Sequence, residues 1–289
     1  MRWFARLIPP IIVDAVCALQ RIGQKLKKYS SFDATKNIAE GYSNESIAQI
    51  VLKKTVIAKK NINREIESKS DLQNLFFFQL MWNDYSQKVE ILEIGGACGM
   101  LYFFADYHFP EWINKYSVVE TPEMVKYAKQ EFLGERLFFF YDLNEAFSHK
   151  KKPDILILSG SLQYLPNSMQ VFNRLLDQGI PFIYLTRLPL LIQSISEEYG
   201  FQTSRLKHHG PGEMQIENDK EIKTPVTYLP LSVIKESIHK HNYEIEYHFY
   251  ESSKYVLNFE GSNQILRVFG FILSKNGKSK LQGRPRRTL

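Results

Sequence analysis

The stretch Val89-Glu90-Ile91-Leu92-Glu93-Ile94-Gly95-Gly96-Ala97-Cys98-Gly99 decides the fold of this 289-residue chain. An apolar run ends in a carboxylate and is followed at once by a cluster of glycines, which predicts a buried strand that enters a tight turn. Glycine accepts positive φ and lets a ligand approach the backbone closely. The next residues, Met100–His108, predict a helix whose first N–H groups lack intrahelical partners and favour an anionic group. The sequence therefore predicts a ligand site where this strand ends.

The spacing of these glycines excludes the dinucleotide-binding fingerprint G-x-G-x-x-G. Ending that pattern on Gly99 would require a glycine where the chain has Ile94. Glu93 also places a charge where dinucleotide-binding folds carry an apolar side chain. A carboxylate at the end of a buried strand needs a cationic or donor-rich neighbour.

The acidic residue and the turn resemble the first motif of the class I S-adenosylmethionine (SAM) methyltransferases, E/D-x-G-x-G-x-G. Glu93, Gly95 and Gly99 match this motif, whereas Ala97 replaces its middle glycine and Gly96 occupies a variable slot. The resemblance implies SAM as the cofactor, with its amino acid end held by Glu93 and by the glycine-rich turn.

Two further acidic residues stand at the ends of predicted strands. Val118-Val119-Glu120 is an apolar run that ends in a carboxylate 27 positions after Glu93. In the resembling fold this is the place of the acceptor for the ribose hydroxyls. Arg136–Tyr141 predicts a third strand, and Asp142 after it takes the position that reaches the adenine amino group in the resembling enzymes. Capping of a helix from Asn144 onward is an alternative role for Asp142, and both roles stay open.

The fourth and fifth predicted strands lead to the candidate acceptor site. Asp154–Leu158 is apolar after its first residue, as is typical of a strand buried on both faces, and it opens into a loop that begins at Ser159. Ligands bind at the carboxyl ends of strands in open parallel sheets, so this loop is expected to contact both cofactor and acceptor. Ser159 is assigned to the cofactor and Tyr164 to the acceptor. Arg187, which follows strand Ile180–Leu185, is assigned to the acceptor for the same reason.

Strands alternate with helices along residues 89–273, which predicts an α/β protein with a doubly wound sheet. Tyr243–Tyr250 and Gln264–Leu273 predict a terminal pair of strands that resembles the antiparallel hairpin closing class I methyltransferase sheets. The resemblance implies a Rossmann-like, seven-stranded sheet. Residues 190–227 show weak periodicity and predict a polar, turn-rich insertion.

Three segments follow from this pattern. Residues 1–88 have helical periodicity and predict a helical extension or cap, in which Leu75–Trp82 is expected to pack against the sheet. Residues 89–273 are the predicted SAM-binding domain. Residues 274–289 are predicted to form a basic, disordered tail.

The formal net charge of +6 and the pI near 9.0 come largely from one end of the chain. After Glu260 seven basic residues follow without an acidic one, and a solvated tail is preferred over a binding arm. No zinc-ligand spacing or nucleic-acid motif is present, so no nucleic-acid partner is expected. The two cysteines, Cys17 and Cys98, suggest no disulfide framework and favour a reducing, cytoplasmic compartment.

Residues 1–28 combine apolar side chains at helical spacing with six basic residues, and Pro9-Pro10 interrupts the pattern early. The segment is too short and too interrupted to span a bilayer. Packing on the protein core is the preferred interpretation, because amphipathic helices in globular chains usually face a core. Contact with a membrane surface, which would place the protein peripherally at the inner membrane, is the alternative.

No residue has the spacing that identifies a catalytic base or a metal site. Tyr164, His208 and His209 are candidates for a base, which is needed only if the acceptor holds its proton. The adjacent histidines have no third ligand nearby, so an exposed loop is preferred over a metal pair and no metal is expected. Gln215 and Tyr228 are further candidates for orienting a polar acceptor.

A narrower resemblance is carried by Pro9-Pro10, Gly41-Tyr42, the Gly95-Gly96 turn, Val119-Glu120-Thr121-Pro122 and Thr186-Arg187-Leu188-Pro189. These features resemble bacterial methyltransferases linked to surface-polysaccharide loci. The resemblance implies a saccharide or a saccharide precursor as the acceptor, and a role in polysaccharide biosynthesis.

The expected function is SAM-dependent transfer of a methyl group to a small-molecule or saccharide-like acceptor. Two alternatives remain. Ala97 in the turn suggests a protein with this fold that has lost catalysis and serves as a scaffold. The amphipathic segment 1–28 suggests an accessory protein that is associated with a membrane.

Overall fold

The computed structural model describes residues 27–36, 39, 41–62, 68–132, 134, 136–148, 152–212, 214–259 and 261–275. Most of the predicted amphipathic segment and most of the predicted basic tail, residues 1–26 and 276–289, lie outside this description. The tail was predicted to begin at Ser274, but Ser274 is fully buried within the last strand of the sheet.

The strands of the described residues are β1 Val89–Ile94, β2 Ile113–Val119, β3 Leu137–Phe140, β4 Ile155–Ser159, β5 Phe182–Leu191, β6 Glu198–Arg205, β7 Glu221–Pro230, β8 Tyr243–Tyr250, β9 Tyr255–Phe259 and β10 Ser262–Lys275. Seven of them lie in the order β3-β2-β1-β4-β5-β10-β8, and β6, β7 and β9 pair off this path, so the sheet has ten strands where seven were predicted. The first five strands of this order are parallel to one another, and β10 pairs antiparallel with both β5 and β8. The Rossmann-like α/β fold with a terminal antiparallel pair is therefore confirmed.

Helices cover both faces of this sheet. In the described residues they are α1 Phe32–Lys36, α2 Glu45–Lys60, α3 Lys69–Asp84, α4 Met100–His108, α5 Pro122–Glu131, α6 Leu143–Phe147, α7 Ser168–Asp177 and α8 Leu231–Lys240. Short 3-10 turns occur at Gly41–Ser43, Leu162–Tyr164 and Leu206–His208.

The alternation of side chains along the central strands divides the core in two. On β4, Ile155 and Ile157 belong to an apolar cluster built with α2 to α5, whereas Leu156 and Leu158 belong to a second cluster built with α6 to α8. Successive residues of a strand point to opposite faces, so one apolar strand serves both layers. This arrangement confirms the doubly wound sheet.

The aromatic run before β1 packs on the sheet as predicted. Phe77 and Phe78 on α3 are fully buried, and the Phe77 ring stacks on Tyr184 of β5 with 4.1 Å between ring centroids. Stacked aromatic pairs of this kind add to the stability gained from burying their surface. The helices before residue 88 therefore contribute directly to the core of the sheet.

The prediction of a turn-rich insertion at residues 190–227 was wrong. β5 continues to Leu191, and β6 and β7 pair antiparallel over eight residues each, from Glu198↔Tyr228 to Arg205↔Glu221. Burial alternates only over the first four residues of β6, and its last four residues, Gln202–Arg205, are all polar. Hydrogen bonding to β7 stabilises β6 as a strand, and this pairing cannot be predicted from the periodicity of the sequence.

Candidate active site

The two predicted carboxylates lie at the same edge of the sheet. Glu93 is the penultimate residue of β1 and pairs with Val118 of β2, and Glu120 directly follows Val119 at the end of β2. β1 and β2 are parallel, so their carboxyl ends meet at one edge. Glu93 and Glu120 therefore face a common region above neighbouring strands.

Glu93 is a buried carboxyl group with a perturbed pKa. Its side chain is 3% exposed, and Tyr116 Oη donates a hydrogen bond to Glu93 Oε2 at 2.8 Å. Burial raises the pKa of Glu93 to about 7, against the opposing effects of the Tyr116 hydrogen bond and the charge of Arg187. Desolvation penalises the charged form of the group, and Glu120 nearby adds repulsion. A cation at this edge would favour the ionised form.

The glycine pair after β1 is required by two close approaches. A Cβ on Gly96 would lie 2.4 Å from Glu93 Oε2, so Gly96 leaves the space that the carboxylate occupies. A Cβ on Gly95 would lie 2.3 Å from the Cβ of Ser161 in the loop after β4. Ser161 Oγ donates a hydrogen bond to Ile94 O at 2.6 Å. The turn therefore packs directly against Glu93 below it and against the neighbouring loop.

The turn keeps a glycine-like backbone at Ala97, where the resembling motif has its middle glycine. Ala97 adopts φ +51° and Gly99 φ +78°, both in the left-handed region. A non-glycine residue held in this region carries backbone strain, which the surrounding structure has to impose. Gly99 is the N-cap of α4 and provides no side-chain cap. The first turn of α4 is thus open at the edge where the two carboxylates lie.

Glu120 is tied to the turn through its carboxylate. Ala97 N–H donates to Glu120 Oε1 and Thr121 N–H donates to Glu120 Oε2, each at 2.9 Å. Burial raises the pKa of Glu120, and these two backbone hydrogen bonds oppose the rise. Each carboxylate oxygen offers two acceptor sites, so Glu120 retains capacity for a diol.

Arg187 lies on a bulge in β5. Thr186 and Arg187 face the single residue Gly270 across the β5–β10 ladder, and Arg187 adopts φ +53°. β-Bulges bend a strand and redirect a side chain. Arg187 Nη2 donates to Ser159 O at 2.8 Å and to Ser159 Oγ at 3.0 Å, and Arg187 N–H donates to Glu251 Oε1 at 2.8 Å. The structure therefore brings two of the predicted site residues, Ser159 and Arg187, into contact.

Tyr164 meets a residue that the sequence did not predict for the site, Tyr42. Their rings pack edge to face with centroids 5.0 Å apart, and His209 packs on the other side of Tyr42 at 5.6 Å. Burial raises the pKa of Tyr42, with further contributions from Tyr164 and from the charge of Glu120. Tyr42 thus lies near the sheet edge that carries Glu120. Apart from the narrower resemblance, no local pattern in the sequence marks this tyrosine.

The histidine pair is divided between surface and interior. His208 is exposed, but His209 is buried and its Nε2 lies 2.9 Å from Ser204 Oγ, so the prediction of an exposed loop was wrong for His209. Burial lowers the pKa of His209, and the charge of Lys54 adds to this effect. Lys54 Nζ donates hydrogen bonds to Lys207 O and His209 O at 2.8 and 2.9 Å. These two bonds hold the turn that contains the two histidines.

Three other candidate residues are Asp142, which follows the end of β3 by two positions, Tyr228 and Gln215. Asp142 caps α6 by accepting a hydrogen bond from Glu145 N–H at 2.9 Å, which is the capping role left open above. Tyr228 packs on Phe259 in a buried apolar cluster, and Gln215 is exposed. Tyr228 therefore serves the core, contrary to the prediction that it orients an acceptor.

No group of three or more His, Cys, Asp or Glu residues is arranged to hold a metal ion in the part of the chain that the structure describes. None of the helices in that part of the chain combines the length and the apolar character needed to cross a bilayer.

Comparison with known proteins gave structural likenesses only. No family model and no curated protein matches the sequence. A S-adenosylmethionine-dependent methyltransferase from Clostridium acetobutylicum ATCC 824 is similar with 12% identity and a TM-score of 0.45, covering 78% of this chain and 98% of that chain. The glycopeptide N-methyltransferase MtfA is similar with 12% identity and a TM-score of 0.44, covering 74% and 95%. Magnesium protoporphyrin IX methyltransferase from Synechocystis PCC 6803 is similar with 9% identity and a TM-score of 0.39, covering 78% and 96%. Because all three TM-scores are below 0.5, these likenesses support no conclusion about the function of this chain.

Proposed function

We propose that this protein is a SAM-dependent methyltransferase that acts on a small-molecule or saccharide-like acceptor in the cytoplasm. The observation that carries the proposal is the buried Glu93 beneath the glycine turn, with Glu120 beside it at the same edge of the sheet. The cofactor would contact Glu93, Gly95, Gly96, Gly99, Glu120, Asp142 and Ser159, and the acceptor would contact Tyr164 and Arg187.

The chemistry of these residues fits SAM. The pKa of Glu93 is raised to about 7 mainly by burial, so a positively charged amino group placed near it removes part of the cost of ionisation. Glu120 keeps acceptor capacity for the two ribose hydroxyls while its oxygens also bind Ala97 N–H and Thr121 N–H. Gly96 leaves no side chain between Glu93 and the turn.

The protein's own part in the reaction is orientation. When bound, SAM supplies an electrophilic methyl group. Methyl transfer is an in-line displacement, and holding the two reactants in line can supply much of the acceleration without a covalent intermediate. The guanidinium of Arg187, fixed on Ser159, would orient a polar acceptor from the end of β5. Tyr164, held by Tyr42 and by its hydrogen bond to Gln202, would form the opposite wall.

Calorimetric titration of the full chain with SAM tests the proposal. Wild-type protein is expected to bind, and Glu93→Gln is expected to weaken binding at least tenfold, as for the loss of a charge-assisted contact. Glu90→Gln, on the same strand but outside the proposed site, is the matched control and is expected to bind like the wild type. A folded wild type that does not bind SAM would overturn the proposal.

The scaffold alternative rested on Ala97, and Ala97 adopts the left-handed conformation that a glycine would have. Turnover distinguishes the two: SAM binding without methyl transfer to any acceptor would favour the scaffold. Membrane association is tested by liposome flotation of the full chain and of a chain that lacks residues 1–28. Equal recovery of the two chains would remove it.

A further inference from the structure

A cleft lies at the end of the loop that follows β4. It has a volume of about 190 Å³ and lies between α1, the start of α7 and the hairpin of β6 and β7. Drug-sized ligands occupy pockets of roughly 300–1,000 Å³, so this cleft suits a smaller molecule. We call it the polar cleft, because most of the side chains that line it can form hydrogen bonds.

The start of α7 supplies donors to the polar cleft. Asn167, Ser168, Met169 and Gln170 line it, and they are the N-cap and the first three residues of this ten-residue helix. Asn167 adopts a left-handed conformation and makes no side-chain cap, and Ser168 Oγ donates to Leu165 O instead. The first N–H groups of a helix have no intrahelical acceptors and therefore favour a ligand oxygen.

Thr227 is an independent sign of a ligand at the same place. It lines the polar cleft, its side chain is 1% exposed, and its Oγ1 has no hydrogen-bond partner among the described residues. It stands opposite Tyr199 in the β6–β7 ladder, and Tyr199 lines the cleft as well. Buried hydroxyl groups are nearly always paired, so the unpaired Thr227 requires a partner.

The charge of the lining restricts the ligand. Asp33 and Glu197 both line the polar cleft, and no basic side chain is among the described residues that do. Tyr199 Oη donates to Glu197 Oε2 at 2.7 Å and holds this carboxylate in place. Carboxylates accept hydrogen bonds from hydroxyl groups and repel phosphate and carboxylate groups. Helix N–H groups, amides, hydroxyls and carboxylates together match a molecule that presents many hydroxyl groups.

We propose that the polar cleft binds an uncharged, polyhydroxylated molecule of monosaccharide size, at a site separate from Tyr164 and Arg187. The loop from Gly160 to Asn167 connects the glycine turn with the polar cleft. Ser161 in this loop packs against the turn at Gly95, and Asn167 lines the cleft. Sugars that carry phosphate or carboxylate groups are excluded by the carboxylate of Glu197.

Methionine-methyl NMR of the full chain separates this proposal from the previous one. Met169 lines the polar cleft, whereas Met124 lies at the glycine turn with its Sδ 3.5 Å from Cys98 Sγ. Met169→Leu and Met124→Leu assign the two signals. The probes are methyl α-D-glucoside and glucose 6-phosphate for the cleft, and S-adenosylhomocysteine for the turn. The glucoside is expected to move the Met169 signal, and S-adenosylhomocysteine the Met124 signal.

Two variants test the chemistry of the polar cleft. Thr227→Val removes the unpaired hydroxyl at nearly constant shape and is expected to weaken glucoside binding about fivefold, as for one hydrogen bond. Thr224→Val is the matched control, because Thr224 is buried on the same strand but outside the cleft. Glu197→Gln is expected to improve binding of glucose 6-phosphate relative to the glucoside.

Each outcome decides one of the two proposals. A Met169 signal that no glucoside concentration moves overturns the polar cleft as a sugar site, and a Met124 shift would leave the cofactor proposal intact. Equal binding by Thr227→Val and wild type, or stronger binding of the phosphate than of the glucoside by wild type, also overturns it. A Met169 shift without any Met124 shift supports the cleft and counts against SAM as the cofactor.

Discussion

Replacing Glu93 by glutamine should stabilise the protein above neutral pH. The carboxyl group is 3% exposed, and burial raises its pKa from the ordinary 4.5 to about 7. A raised pKa means that the folded state binds a proton more tightly than the unfolded state does. The stability from this group is therefore fully present below pH 4.5 and is lost as the pH rises through about 7.

The size of the effect follows from these two pKa values. At 1.36 kcal/mol per pH unit, the difference between 4.5 and about 7 corresponds to a loss of about 3 kcal/mol between acidic and alkaline pH. For a chain of this size each kcal/mol moves the melting temperature by roughly 2–4 °C, so the effect is roughly 6–12 °C. Glutamine keeps the shape and an acceptor for Tyr116 Oη but has no charge to desolvate.

Urea unfolding of wild type and Glu93→Gln at several pH values from 5 to 8 measures this directly. Other groups titrate in the same range, so the quantity to compare is the difference in unfolding free energy between the two proteins. Between pH 5 and pH 8 it should move by about 2.5 kcal/mol in favour of the variant, because about 1 kcal/mol of the total is already lost at pH 5. A difference between wild type and Glu93→Gln that is flat from pH 5 to 8 would refute the buried, proton-binding carboxyl group.

Three further predictions concern residues around the same edge. Gly96→Ala places a Cβ 2.4 Å from Glu93 Oε2 and should cost about 1–3 kcal/mol of unfolding free energy and abolish SAM binding; normal calorimetric binding would contradict the close approach. Lys54→Met leaves the carbonyls of the 207–210 turn without their cation and should cost about 3 kcal/mol, whereas the exposed neighbour Lys53→Met should stay within about 0.5 kcal/mol in the same denaturation assay. Arg187→Lys should raise the KM for the acceptor and leave the Kd for SAM unchanged, because lysine keeps the charge near Glu93 but lacks the planar guanidinium that presents several donors to a polar acceptor; a changed Kd with an unchanged KM would place Arg187 at the cofactor instead.

Features encoded over short distances were predicted well from the sequence. The helix after the glycine turn was expected at Met100–His108 and is found there, because a glycine cluster marks its start and apolar periodicity marks its length. The strand Tyr243–Tyr250 was also predicted with the bounds that it has in the structure. Glu93 and Glu120 were placed at one edge because each ends an apolar strand, and parallel strands end together.

Features that depend on distant contacts were missed. Tyr42 reaches the site only because α2 and the 3-10 turn before it pack over the edge, and its neighbours Tyr164 and His209 are far away in sequence. The bulge at Arg187 lies opposite Gly270 on β10, and the strand was predicted to end at Leu185, just before this bulge. A short stretch of sequence around Tyr42 or Arg187 does not include the distant residues that each of them contacts.

Glu93 and Lys54 are both buried ionisable groups. Their hydrogen-bond partners differ, and this difference indicates a structural role for Lys54 and a ligand-binding role for Glu93. Lys54 is 2% exposed and donates to two carbonyls within 2.9 Å, so its charge stabilises the turn that it holds. Among the described residues Glu93 accepts one hydrogen bond, from Tyr116, and Glu120 nearby adds repulsion. A buried carboxylate with one hydrogen-bond donor, whose desolvation outweighs the opposing charge of Arg187, costs stability that a neutral residue would not. Such a cost is understandable where a cationic ligand completes the site, because binding that favours the ionised form of Glu93 must also release its proton.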